Sequence, residues 1–266
     1  MNTLGFELRS LRTSTLWWFV GLATLISIYI GVYPSFASDA EAARKLFDSL
    51  PAAMHAAIGL NLDTLFSFLG FLGNIFTVIL LAAAIHGSIL GIGIFSREQR
   101  SKTTDFLLSK PRSRHSIFLA KLGAGLIVVA LTTAWVMLVV FAMSQTIDAG
   151  QYDMSKFLLI TGVFGMVEVW FFAVGALISQ LIRKVKLVTP PALGLAFGFF
   201  LLGAVGSMID PDATRWLAPS KYVDFSHVVQ YGEYETKYLI LGYSIIALAI
   251  VISFFIYTRK DIESQI

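Results

Sequence analysis

Residues 66–95 read FSFLGFLGNIFTVILLAAAIHGSILGIGIF, and the only ionisable side chain among them is His86. A helix rises about 1.5 Å per residue, so this run more than spans the ~30 Å hydrocarbon core of a bilayer. The whole chain shares its character. Of 266 residues, 56% are hydrophobic and 14% charged, and the mean hydropathy is +0.75, which is too apolar for a soluble domain. Five further windows qualify as spans, at residues 16–33, 117–143, 157–182, 187–209 and 238–257. The expectation is an all-α membrane protein with six transmembrane helices. Too little sequence lies between the windows for a separate soluble domain, so residues 1–266 read as one unit. The second window is longer than a perpendicular span needs and should tilt or extend beyond the bilayer.

Basic residues set the orientation. With the N-terminus inside, Arg9, Arg12, Arg97, Arg100, Lys102, Lys110, Arg112, Arg114, Lys121, Arg183, Lys184, Lys186, Arg259 and Lys260 share one side, 14 of the 20 Lys and Arg residues. That is the positive-inside bias, which places both termini in the cytoplasm of a multi-pass protein of the cell (inner) membrane. Topology and contact with membrane lipids thus account for the net charge of +3, and no nucleic-acid partner is implied. Arg9, Arg12 and the apolar run before Ser35-Phe36-Ala37 imitate a signal peptide. The run outlasts the ~7–15 residues of a signal core, so it reads as an uncleaved first span.

Shorter elements flank the spans. Leu4, Leu8 and Leu11 recur at i, i+4, i+7, which predicts an N-terminal amphipathic helix lying in the interface. Ser38 and Glu41 form a capping box that predicts a short helix on the outer side. Trp216, Tyr222, Phe225 and Tyr231 lie in a polar background between the last two windows, as interfacial helices do. Pro190 and Pro191 suit the first turn of the fifth span.

Between the second and third windows runs REQRSKTTDFLLSKPRSR, residues 97–114. Thr103 or Thr104 can cap a short helix with Phe106, Leu107 and Leu108 as its apolar face, and Lys110-Pro111 stops it. Ser113 can cap the third span. A short amphipathic helix flanked by charges suits a groove on a partner.

In order, Glu98, Thr103, Leu107, Leu108, Ser109, Pro111, Ser113, Arg114 and Lys121 follow the first cytoplasmic loop of ABC-2-type exporter permeases, with Lys102 where that family usually has glycine. The ending from Phe255 to Ile262 is similar to the family's aromatic, basic pair, Asp, apolar close. The sequence therefore resembles an ABC-2-type permease. The resemblance implies a permease subunit that pairs with a second copy or a similar chain to form the translocation path of an exporter. It further implies an elbow helix at the N-terminus, and coupling to separate ATPase subunits through Glu98, Thr103, Asp105, Phe106, Leu107, Leu108, Pro111 and Arg114. ATP and Mg would sit on those partners. This chain is expected to bind no cofactor and to be no enzyme, since it lacks the phosphate-cradling pattern GxxxxGK[ST].

Polar residues inside the spans are candidates for the path. Glu168 is the one acid deep in a window, where a charge costs roughly 2.5–3.5 kcal/mol on insertion scales. It therefore reads as a substrate contact, a proton relay or a hydrogen-bonded structural carboxyl. His86 reads as a polar residue satisfied between helices, and Asn74 joins these two as a candidate path residue. Gly70, Gly73, Gly87, Gly91 and Gly93 in the second window permit close helix approach, and Gly194 and Gly198 form a GxxxG in the fifth. In the resembled family these two spans line the path between subunits, which would assign the glycines to that contact. His55, His115 and His227 fall on different connections, and the sequence has no Cys, so no metal site is expected. Two other readings stay open: a secondary transporter or channel using Glu168, and a membrane-embedded enzyme acting on lipid.

Overall fold

The computed structural model describes residues 3–38, 45, 51, 67–97, 113–147, 152–182 and 185–259. Among them six helices are long and apolar enough to cross a bilayer. These are α1 (Thr3–Gly31), α3 (Phe68–Phe95), α4 (Arg114–Thr146), α5 (Met154–Leu181), α6 (Thr189–Ile209) and α9 (Thr236–Arg259). Short pieces lie between them: α2 (Tyr33–Ser38), α7 (Pro211–Leu217), a 3-10 turn at Pro219–Lys221, and α8 (Phe225–Tyr231). No described residue is in a strand. Helix starts follow the local chemistry. Ser67 accepts from Gly70 N at 3.0 Å, Ser113 accepts from Ser116 N at 3.3 Å as its sequence position suggested, and Asp153, Asp210 and Asp224 cap α5, α7 and α8.

One expectation needs correction. The amphipathic N-terminal segment is not a separate elbow helix, because α1 runs unbroken from Thr3 to Gly31. No proline interrupts the stretch between Leu8 and Leu16, and Glu7 is buried rather than turned to solvent. The first turns of α1 are thereby tied to the bundle instead of lying flat. The Ser38 hydroxyl donates back to Ser35 O at 2.9 Å; the expected capping box with Glu41 lies outside the described residues.

Helices α3 and α5 form the centre. Glycine makes their contact possible: a Cβ on Gly91 would stand 2.2 Å from Phe172 O, and one on Gly87 would stand 2.3 Å from Glu168 O. Only hydrogen fits there. So Gly87 and Gly91 serve packing within the chain, against the fourth span rather than the fifth. A Cβ on Gly194 or Gly198 of α6 would meet nothing within 4 Å. Helix α6 instead rests on the bundle through Ala192 and Ala196, both wholly buried. Helices α1 and α4 pair alongside, with the Phe19 and Trp135 rings stacked at 5.1 Å and Trp135 Nε1 donating to Phe19 O at 2.9 Å.

The outer faces are apolar. Leu119, Leu131 and Leu138 on α4, and Ile240, Leu248 and Phe255 on α9, are all exposed. An apolar face of this extent is stable against lipid and would associate in water. At the end shared by the connections α2–α3, α4–α5 and α6–α9, the short elements close the bundle. Phe225 covers Gly73, Lys156 Nζ donates to Val229 O at 2.6 Å, and Tyr234 donates to Leu159 O at 2.5 Å. Burial pushes the Tyr222 and Tyr234 phenols up to about 12.

Candidate functional site

Two polar clusters among the described residues bear on function, one at mid-bundle and one at the end where the α3–α4 connection leaves. At mid-bundle the close α3–α5 approach sets His86 of α3 against Glu168 of α5, with Nδ1 2.6 Å from Oε1. The residues are 82 positions apart in sequence. From α4, Thr132 Oγ1 stands 2.7 and 2.8 Å from the two carboxylate oxygens. Its single proton has rivals in the Val128 and Val129 carbonyls at 2.9 and 3.0 Å. From α1, the Trp18 ring lies over the imidazole with centroids 4.7 Å apart. Glu168 and Thr132 are 0% exposed and His86 3%. A carboxylate so enclosed needs its hydrogen bonds, and here four helices supply or shield them.

Two expected site residues are thus brought together and a third is not. Asn74 sits twelve positions before His86 on the same helix, roughly 18 Å away along its axis. Its Nδ2 donates to Gly70 O at 3.0 Å, and its Oδ1 has no partner among the described residues.

The second cluster was not foreseen. Glu7, inside the first turns of α1, accepts from Arg97 Nη1 at 2.6 Å, and Arg97 also donates to the Ser10 hydroxyl. Lys121, wholly buried about two turns into α4, donates to Ile94 O at 2.6 Å and stands 3.5 Å from Glu7 Oε1. Ile94 belongs to the last turn of α3, whose carbonyls lack helical partners, so Lys121 caps that terminus with a positive charge. Arg114 Nη1 reaches Thr258 O at the end of α9, 3.4 Å away. Both roots of the α3–α4 connection are therefore fastened to the framework. Of the expected coupling residues, Arg114 is placed by this. Glu98, Thr103, Asp105, Phe106, Leu107, Leu108 and Pro111 lie outside the described residues.

A cavity of about 250 Å³ joins the two clusters. It lies between α1, α3 and the approach to α6, and its polar wall is Ser10, Ser14, Thr15, His86 and Arg97. Sequence reasoning treated His86 and Glu168 separately, and placed Lys121 among the cytoplasmic basic residues and at the end of the family's loop pattern. A usable signal was present: two costly ionisable groups in spans two and four satisfy each other most cheaply as a pair.

No curated protein matches the chain. The family described as ABC-2 family transporter protein matches residues 1–262, nearly the full length, including all six membrane-crossing helices and both polar clusters. The chain belongs to the ABC-2 transporter family, and is a multi-pass membrane permease of an ABC transporter.

Proposed function

We propose that the chain is the permease subunit of an ATP-driven exporter, paired with a second copy or a similar chain, and driven by separate ATPase subunits that seat on the α3–α4 connection. The observation that carries this reading is the fastening of that connection at both roots. Arg97 is held by Glu7 and Ser10 of α1, and Arg114 reaches the last turn of α9. Lys121 ties the end of α3 to α4. A push delivered to residues 98–112 therefore reaches α1, α3, α4 and α9 through charged or hydrogen-bonded links instead of being lost in a loose hinge. Family membership supports the same reading, as does a sequence without a phosphate-cradling loop.

In this reading the connection end faces the cytoplasm, where the basic residues concentrate, and both termini lie there too. ATP and Mg bind the partner. Gly194 and Gly198 present a groove of small residues on the outer face of α6, open to a second permease helix. The test is Leu107→Asp, which puts a charge on the apolar face offered to the ATPase. The variant should reach the membrane at wild-type level yet lose transport and permease-dependent ATP hydrolysis. Export at the normal rate from that variant would refute the assignment of the seat.

A further inference from the structure

We infer that His86 and Glu168 form a proton-binding site that exchanges with one side of the membrane only, the side bearing the α3–α4 connection. This goes beyond the permease reading and does not depend on ATP coupling. The route is the cavity between the two polar clusters. His86 lies nine positions before the end of α3 at Phe95, roughly 14 Å of helix, and Arg97 follows two residues beyond that end. At ~30 Å³ per molecule the cavity of about 250 Å³ has room for roughly eight waters, and its hydroxyl, imidazole and guanidinium walls give them partners. Toward the opposite end the way is closed among the described residues. Ala84, Leu80 and Phe76 of α3 are wholly buried, and Leu22 and Ile26 of α1 pack over the same region.

His86 stands at the boundary. It lines the cavity, while Glu168 behind it is fully enclosed. With Nδ1 against Glu168 Oε1, the ring has Nε2 left for the cavity. A proton taken from water at Nε2 lets the Nδ1 proton pass to Oε1. The ring then ends neutral in its other tautomer, the carboxylate becomes a carboxylic acid, and the site gains one proton. A larger ligand is excluded, because both carboxylate oxygens are already occupied by His86 and Thr132. The groups that bear on the pair are few: Trp18 and Thr15 from α1, Thr132 from α4, and at the far end of the cavity Arg97 with its partner Glu7, which Lys121 also faces. Helix α6 approaches through Val188 alone.

Two measurements decide the matter. In the first, His55, His115 and His227 are replaced by Gln, and the chain, carrying 15N-histidine, is placed in lipid nanodiscs so that His86 gives the single imidazole signal. Followed from about pH 5 to about pH 9, where an imidazole can exchange its proton, its ring-nitrogen shifts should report one change of protonation or tautomer, and Glu168→Gln should displace that transition. A ring that keeps one tautomer and charge across this range overturns the proposal, as does a transition indifferent to Glu168. In the second, proteoliposomes receive the ATPase partner and ATP outside only, which selects molecules with the connection outward, and the inner and outer pH are varied separately. A step in rate with outer pH, absent in His86→Gln and Glu168→Gln, is expected. A matching dependence on inner pH overturns the one-sided access. If ATP drives nothing in the wild type, the ATP-coupled reading fails while the nitrogen titration still decides this one.

Discussion

Gly87→Ala tests the geometry on which the mid-bundle pair depends. The added Cβ would stand 2.3 Å from the Glu168 carbonyl oxygen and 3.1 Å from Phe172 N, both backbone atoms that cannot swing aside. Restoring the first contact to the 3.4 Å of ordinary packing requires about 1.1 Å of separation between α3 and α5. His86 is the adjacent residue and Glu168 carries the obstructing carbonyl, so the same movement stretches their 2.6 Å contact to about 3.7 Å, beyond hydrogen-bond reach. Overpacking of this kind costs about 1–3 kcal/mol, and at ~2–4 °C per kcal/mol for a chain of this size Tm should fall by roughly 2–12 °C. Thermal unfolding in nanodiscs measures the shift, and the nitrogen shifts of His86 report the broken pair. Gly194→Ala and Gly198→Ala are the controls, because a Cβ at either position meets nothing within 4 Å. They should leave the single chain as stable as before, or slightly more so. An unchanged Tm and an intact His86–Glu168 contact in Gly87→Ala would refute the close-approach argument.

Other substitutions probe the two ends of the bundle. Glu7→Leu leaves Lys121 and Arg97 facing each other without their shared carboxylate, at a cost near 3 kcal/mol; adding Lys121→Met should recover part of it, and strict additivity in the double variant would contradict the cluster. At the opposite end Tyr222 and Tyr234 titrate at about 12 in the folded chain and near 10 when unfolded. The folded state then holds more protons between those values, so stability should be flat below pH 10 and fall between about pH 10 and 12. Tyr234→Phe, which loses the 2.5 Å bond to Leu159 O, should cost about 1 kcal/mol at neutral pH and soften the alkaline fall. A stability profile that stays level to pH 12 would count against this burial.

Much of the architecture was legible because the bilayer demands it. Apolar length locates a span whatever it packs against, and for five helices the ends lie within three residues of the expected windows. The first helix departs because its start is decided by a tertiary contact. Glu7 is met by Arg97, just beyond the end of α3, and by Lys121 of α4, partners that no local sequence pattern names. The glycines show the same limit. Spacing identified Gly87 and Gly91 as sites of close approach, yet the identity of the neighbour, α5 of the same chain, is a property of topology. For His86 and Glu168 the sequence shows the cost of each group, and only the fold shows that each is the other's remedy.

The most direct test of the transport account uses a cysteine at the proposed seat. The chain has no Cys of its own, so Leu107→Cys carries the only thiol, and a thiol–amine cross-linker applied to native membranes reports its neighbours. The account predicts an adduct with a protein that contains a phosphate-binding loop, and none with that protein when the thiol is placed instead at Tyr231, exposed at the opposite end. Absence of any ATPase adduct at position 107, while the variant still transports, would contradict the account.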